Sequence, residues 1–265
     1  MQKDTFKRFD LTGKVALVAG GGGYLGKPIC RALAEHGAHV IIADINKESA
    51  DNASSLLAKK GFSTEAIKLD IGNEKSVIDT INSIVTRHNR LDIVVNLTFY
   101  STGKPMDKMD LTDWEKGLRV SLSGAFVLSR ETGRVMVSQG SGSIVQFSSM
   151  YGKISPDPRI YKPHYSVNPI DYGVAKAGIL QMVRYQAVML APSGVRVNSI
   201  VPGTFPNPAG QGDNTEFIKK LSEKVPMARV GNAEEIVGAV VFLASDAASY
   251  ITGTEIVVDG GCTIW

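Results

Sequence analysis

A recurring rhythm constrains this chain more than any single residue does. Short β-branched and aliphatic runs occur at residues 14–19, 39–43, 65–69, 92–96, 143–147, 195–200 and 255–258. Several are apolar without interruption, as strands covered on both faces of a parallel sheet must be; a strand with one wet face would alternate instead. Amphipathic stretches fill the intervals, notably 28–35, 75–86, 113–137, 172–190 and 233–244. The alternation predicts βαβ units wound into an open, doubly wound, seven-stranded parallel sheet with helices on both faces, an α/β architecture of the Rossmann type. No compositional shift, internal repeat or low-complexity linker divides residues 1–265, so one domain is expected. Two stretches break the rhythm, 152–169 and 202–226, each with four prolines. Both follow strands, on the side where α/β folds place ligands.

Composition narrows the function classes. Lys and Arg number 29 against 26 Asp and Glu, and no block of like charge stands out. That balance argues against a dedicated nucleic-acid or membrane-surface protein. The cysteines, Cys30 and Cys262, lack disulfide-framework or zinc spacing, and His36, His39, His88 and His164 form no metal constellation by spacing, so no metal is expected. Residues 1–10 are polar, and no apolar run reaches the ~18 residues of a membrane span. A cytoplasmic protein acting on a small molecule is the expectation.

The first strand runs into Gly20-Gly21-Gly22-Gly23-Tyr24-Leu25-Gly26, with a helix expected from Pro28. Gly21, Gly23 and Gly26 satisfy G-x-G-x-x-G. Such a turn brings backbone close to a pyrophosphate and aims unpaired helix amides at its charge. Asp44 ends the second strand, 18 residues beyond Gly26, where a carboxylate accepts from adenosine ribose hydroxyls and repels a 2′-phosphate. NAD is therefore favoured over NADP, with Lys27 and Lys47 near enough to compensate a phosphate. Asp70 ends the third strand and reads either as an adenine contact or as a helix cap.

Tyr172 and Lys176 stand four residues apart on a good helical stretch, which puts phenol and ammonium on one face. Tyr100 and Lys104 share the spacing, but Gly103 and Pro105 break any helix there. A phenol with pKa near 10 needs a downward shift of about two to three units to act as a base near neutrality. One cation at about 4 Å, at an effective dielectric near 20, supplies roughly 4 kcal/mol of that. Ser148-Ser149 ends a buried strand just upstream; Ser149 reads either as a catalytic hydroxyl or as a cap.

These residues resemble the short-chain dehydrogenase/reductase superfamily in its compact branch, over nearly the whole chain. Arg229-Val-Gly231, Val241-Phe-Leu-Ala-Ser245, the run Ile251-Thr-Gly253 to Asp259-Gly-Gly261, Val197-Asn198 to Pro202-Gly203 and Leu91-Asp92-Ile-Val-Val-Asn96 carry the likeness. The resemblance implies Ser149, Tyr172 and Lys176 as the catalytic set, with Ser121 where a fourth catalytic Asn is common. It implies dinucleotide contacts from Gly20, Gly22, Gly23, Tyr24, Leu25, Gly26, Asp44, Ile45, Asp70, Ile71, Asn96, Leu97, Thr98, Tyr172, Lys176, Pro202, Gly203 and Thr204. Substrate contacts are implied for Ser149, Tyr151, Arg159, Tyr161, His164 and Tyr172, and a homotetramer built on the helices around 113–137 and 172–190.

The chain departs from the family in four places. Its glycine turn is closer to that of the extended, nucleotide-sugar branch, and Leu97-Thr98-Phe99 replaces the usual Asn-Ala-Gly. Ser121 replaces the Asn, and the interval from Ser149 to Tyr172 is long. That inserted loop resembles loops of members acting on sugars and sugar-derived acids, and its Arg159, Lys162 and His164 read as an anion site or as solvated charge. The expected reaction interconverts a secondary alcohol and a ketone with NAD. The alternatives are a nucleotide-sugar epimerase or dehydratase with recycling NAD, for which the chain lacks the usual extra C-terminal domain, and a non-catalytic NAD-binding protein.

Overall fold

The computed structural model describes residues 4–161, 165–211 and 214–265. Seven strands, β1 (Val15–Ala19), β2 (His39–Asp44), β3 (Thr64–Lys68), β4 (Ile93–Asn96), β5 (Gly142–Phe147), β6 (Val195–Pro202) and β7 (Glu255–Val258), form one sheet in the order β3-β2-β1-β4-β5-β6-β7. Every pairing is parallel. The chain winds outward from β1 to β3 and returns to start β4 on the other side of β1. The crevice at the carboxyl ends of β1 and β4 is thus a topological switch point, where open α/β sheets bind ligands.

The helices are α1 (Gly26–Glu35), α2 (Lys47–Ala58), α3 (Glu74–His88), α4 (Leu111–Leu118), α5 (Gly124–Gln139), α6 (Pro158–Tyr161), α7 (Ile170–Leu190), α8 (Pro208–Gln211), α9 (Thr215–Ser222) and α10 (Val237–Ala244). Strand alternation sorts the core into two layers. Ala16 and Val18 of β1 face a layer with Ile29 and Leu33 of α1 and Val240 and Leu243 of α10. Leu17 and Ala19 face the other, with Ile81 of α3, Leu128 of α5 and Val183 of α7. All of β1 is buried, as its unbroken apolar run requires, whereas the edge strand β3, Thr-Glu-Ala-Ile-Lys, is only partly covered.

Three local differences from the sequence expectation stand out. The helix expected from Pro28 opens at Gly26, leaving Pro28 in the first turn, where its missing N–H costs nothing. The stretch 113–137 is not one helix: α4 passes through a π-helical segment, Arg119–Ser123, before α5 begins. The interrupted loops contain helix of their own, α6 in the first and α8 and α9 in the second.

Candidate active site

Lys176 places the site. On α7 it is only 2% exposed, and its Nζ donates to the Phe147 carbonyl at 2.7 Å while the Ser148 hydroxyl donates to the Lys176 carbonyl at 2.7 Å. These bonds fasten α7 to the end of β5. One turn earlier on α7, Tyr172 meets Ser149, whose hydroxyl hydrogen-bonds the phenol and holds its pKa down against burial, which raises it. The Ser149 Oγ also accepts from the Tyr151 amide at 3.1 Å, capping the short turn Met150–Gly152. The capping reading of Ser149 is thus met, and the cap leaves its hydroxyl beside the Tyr172 phenol. Tyr100 and Lys104 lie outside any helix, as Gly103 and Pro105 predict.

The electrostatics differ from the sequence expectation. Lys176 Nζ lies 5.6 Å from the Tyr172 ring centroid and is bonded to a carbonyl rather than to the phenol oxygen. Burial raises the Tyr172 pKa and pushes that of Lys176 down to about 7. Desolvation disfavours phenolate and ammonium alike, and neither group is stabilised by the other's charge. The expected lowering of the phenol pKa by Lys176 is thus replaced, in the polypeptide alone, by the smaller influence of Ser149.

The glycine turn and the acid after β2 are joined. Gly22 N donates to Asp44 Oδ2 at 3.1 Å, Asn46 N donates to Asp44 Oδ1 at 3.0 Å, and the Ser49 hydroxyl donates to the Gly22 carbonyl at 2.8 Å. Each carboxylate oxygen keeps a further lone pair for a ribose hydroxyl. A methyl group at Gly26 would lie 2.3 Å from the Gly20 carbonyl, so turn and helix can close only on glycine. Asn46, Asn73, Asp110 and Asn214 cap α2, α3, α4 and α9 with side chains, but α1 has no such cap. In its first turn Lys27 N donates to the Gly23 carbonyl at 3.1 Å and Pro28 has no N–H, so the Gly26 amide and the turn before it are what α1 offers an anion. With the spare N–H groups of Lys176, these features fit a pyridine dinucleotide along the switch-point crevice.

The other expected contacts divide. Leu97 and Thr98 lie against Gly20, whose φ of +82° puts it in the left-handed region, and Gly203 lies against Asp259 at the ends of β6 and β7. Tyr24 and Leu25 are half-buried in the turn, Pro202 and Thr204 are buried, and Ile45 is exposed. Asn96 is committed within the protein: its Nδ2 donates to Gln146 at 2.8 Å, and its Oδ1 accepts from the Thr98 amide at 3.1 Å. Ile71 packs its side chain in the core beside α5, leaving its backbone as the part that could face a dinucleotide. Asp70 is not the cap of α3, which is Asn73; its Oδ1 accepts from Gly72 N at 2.9 Å.

Ser121, in the π segment, is 1% exposed, donates to the Tyr100 carbonyl and accepts from the Tyr100 amide, both at 2.8 Å. Its hydroxyl proton is used, so its expected catalytic role becomes one of positioning the 97–105 loop. Phe99 of that loop meets the Tyr172 ring edge-on at 5.4 Å between centroids. Asp171, unforeseen from the sequence, is fully buried beside Tyr172; its Oδ1 accepts from the Ser101 hydroxyl at 3.0 Å, fastening the same loop to α7. An acid at the start of a helix is too common a signal to have marked it.

In the inserted loop, Tyr161 is buried on α6 and shares a short hydrogen bond with Tyr151. Both phenols are raised by burial. Arg159 is corrected as an anion clamp: its side chain is 81% exposed, and Asp157 already fills its fork at 2.8 and 2.7 Å, with Lys224 on the same carboxylate at 2.8 Å. His164 and Lys162 lie outside the described residues. The spacing of the histidines along the chain shows no metal pattern, yet folding brings His39 and His88 together around Glu65.

A sequence profile described as enoyl-(acyl carrier protein) reductase matches residues 23–263. The chain belongs to the short-chain dehydrogenase/reductase family. Its members are NAD(P)-dependent oxidoreductases of CH–OH groups, and this short-chain dehydrogenase/reductase is of the compact, single-sheet kind. It is 32% identical to the cis-4-hydroxycyclohexanecarboxylate dehydrogenase of Sinomonas cyclohexanicum, over 94% of this chain and 96% of that one. It is likewise 32% identical to the D-threitol dehydrogenase of Mycolicibacterium smegmatis, over 97% and 95%. The crystal structure of a gluconate 5-dehydrogenase from Burkholderia cenocepacia, in complex with NADP and tartrate, superposes with a TM-score of 0.88 at 28% identity, covering 98% of this chain and 99% of that one.

Proposed function

We propose that this enzyme interconverts a secondary alcohol and a ketone on a carbohydrate-like substrate, with NAD as its coenzyme and with Ser149, Tyr172 and Lys176 as its catalytic residues. The observation that carries the reading is the gathering of Ser149, Tyr172 and the buried Lys176 amine at the end of β5, with Lys176 Nζ 5.6 Å from the Tyr172 ring centroid and the Ser149 hydroxyl beside the phenol. In the oxidative direction Tyr172, ionised to the phenolate, takes the hydroxyl proton of the alcohol and becomes the phenol, and Ser149 holds the reacting oxygen. Lys176 binds ribose hydroxyls with the N–H groups that Phe147 leaves free. The nicotinamide, when bound, accepts the hydride. Ser121 and Asp171 hold the 97–105 loop against this site.

Asp44 supports the preference for NAD, since a 2′-phosphate would face its carboxylate. Lys47, which could offset that repulsion, is paired with Asp51. The substrate class is supported by the relatives named for threitol and gluconate and by the phenols of Tyr151 and Tyr161 beside Tyr172. With the Arg159 fork already filled, a neutral polyol or ketose suits the site better than a sugar acid. A homotetramer is supported by α7: Val183 and Ala187 are buried, yet Tyr185, Val188 and Met189 are exposed, so the helix is apolar on both sides. Two buried, unpaired cysteines suit a reducing cytoplasm, and no described helix is long and apolar enough to cross a membrane. One domain carries all of this.

The test is a panel of polyols, ketoses, sugar acids and nucleotide sugars, with NAD and NADP in parallel, read by nicotinamide absorbance and product analysis. NAD-linked turnover of a polyol or ketose is expected. Conversion of a nucleotide sugar with no net absorbance change would replace this reading by an epimerase or dehydratase.

A further inference from the structure

His39, Glu65 and His88 meet far from the chemistry. His39 opens β2, Glu65 is the second residue of β3 and His88 ends α3, so three separate elements contribute one side chain each. The catalytic crevice lies at the carboxyl ends of the strands; this cluster lies at the start of β2, about 17 Å from Asp44 at a strand rise of about 3.3 Å per residue. The two imidazole centroids are 4.7 Å apart. Glu65 Oε1 is 3.0 Å from His88 Nε2 and 3.9 Å from His39 Nε2, and one ligand atom from each residue falls within 4.8 Å of the others. Tetrahedral zinc, with bonds of about 2.0–2.1 Å, spaces neighbouring ligand atoms about 3.3 Å apart, a spacing that small side-chain rotations reach from here.

Two further details point the same way. His39 Nδ1 lies 2.7 Å from the Ser63 hydroxyl, and His39 Nε2 is buried with no hydrogen-bond partner. A ring that donates from Nδ1 to the hydroxyl carries its lone pair on Nε2, and such a bond on the far nitrogen is the usual support of a ligating histidine. Glu65 is held in turn: Arg87 Nη1 donates to its Oε2 at 2.5 Å, leaving Oε1 toward the imidazoles. Arg87 opposes a nearby cation, but it also prevents Glu65 from turning away. Side-chain exposures of 25%, 26% and 22% for His39, Glu65 and His88 leave a path for an ion and for water as a fourth ligand.

We propose that His39, Glu65 and His88 bind a divalent transition metal, Zn2+ by ligand type, in a site that ties α3 to the start of β2 and the edge strand β3. Two nitrogens and a carboxylate oxygen suit zinc and its cobalt substitute; the larger, oxygen-seeking Ca2+ and Mg2+ are poorly served by imidazole. The site is independent of the hydride chemistry, so loss of either activity or metal binding leaves the other interpretable.

The experiment uses the full chain without a histidine tag, stripped with chelator. Zn2+ is titrated by calorimetry, and Co2+ by its visible absorption, whose intensity reports four-coordinate geometry. One equivalent of each is expected, with a rise in Tm on Zn2+ binding. Glu65→Gln and His88→Ala should each weaken Zn2+ binding by at least about tenfold, whereas His36→Ala, a control outside the cluster, should not. Circular dichroism and retained NAD-linked turnover establish that the variants are folded. The proposal is overturned if no binding is seen up to about 100 µM Zn2+, a range that a preformed three-ligand site should saturate, or if folded His39→Ala/His88→Ala protein binds as tightly as the parent.

Discussion

In the proposed mechanism Tyr172, Ser149 and Lys176 carry separable parts of the chemistry, and their variants should fail differently. Tyr172→Phe removes the proton acceptor but leaves the packing; turnover should fall by roughly 10²–10⁴-fold while NAD binding, read by fluorescence titration, is retained. An active Tyr172→Phe enzyme would remove Tyr172 from this role. Ser149 holds the phenol pKa down, so Ser149→Ala should raise it. The limb on which oxidation speeds up with pH should then move to higher pH, besides any loss of rate. Lys176 carries a stability signature. Its pKa is near 10.5 when unfolded and about 7 when folded, so between those values the unfolded chain binds the extra proton. The cost of burying the amine is therefore absent above the unfolded pKa, grows as pH falls, and is complete below about 7. The Tm of Lys176→Met relative to the parent should be highest near pH 7 and fall as pH rises toward 9.5; a difference that does not change with pH would contradict the depressed pKa. The proximity of Tyr172 and Lys176 was legible because i and i+4 on a helix fix a common face. The use of Ser121 was not, because a hydroxyl gives no sign in sequence of which backbone groups, 21 residues upstream, will take its bonds.

At the scale of elements, the β1–α1 turn depends on close backbone approach. Gly26→Ala drives a methyl group into the Gly20 carbonyl and should cost about 1–3 kcal/mol in urea unfolding, with weaker NAD binding as α1 shifts. Asp44→Ala keeps the turn but removes the charge facing a 2′-phosphate. The ratio of kcat/KM for NAD over NADP should fall at least about tenfold, equivalent to about 1.4 kcal/mol; an unchanged ratio would place cofactor choice elsewhere. The strands were legible almost to the residue, since burial on both faces leaves a continuous apolar run. The break between α4 and α5 was not: Arg119-Val-Ser-Leu-Ser holds no proline or glycine, and a π segment of this kind is stabilised by tertiary bonds such as those of Ser121. The same limit hid His39, Glu65 and His88, which lie on three elements and show no ligand spacing along the chain.

Across the whole molecule, the two ends of the sheet have different chemistry. The dinucleotide crevice lies at the carboxyl ends, while the imidazole cluster and a cavity of about 520 Å3 lined by Lys14, Asp92 and Arg196 lie at the amino ends. If the protein assembles as the proposed homotetramer, Val188→Arg on the exposed side of α7 should shift the sedimentation coefficient toward smaller species while leaving the Ser149–Tyr172–Lys176 geometry intact; a parent that sediments as a monomer would refute the assembly. The substrate side also has a collective property. Ile160 and Tyr161 of α6 share a small apolar cluster with Phe217 and Leu221 of α9, apart from the two main core layers. The two proline-rich loops thus grip each other more than they grip the sheet, and Tyr151 is the clasp that fastens the pair to the strand end. Joined in this way, the two loops should open together, so Phe217→Ala, remote from the reacting atoms, should alter the product-release rate measured in pre-steady-state kinetics.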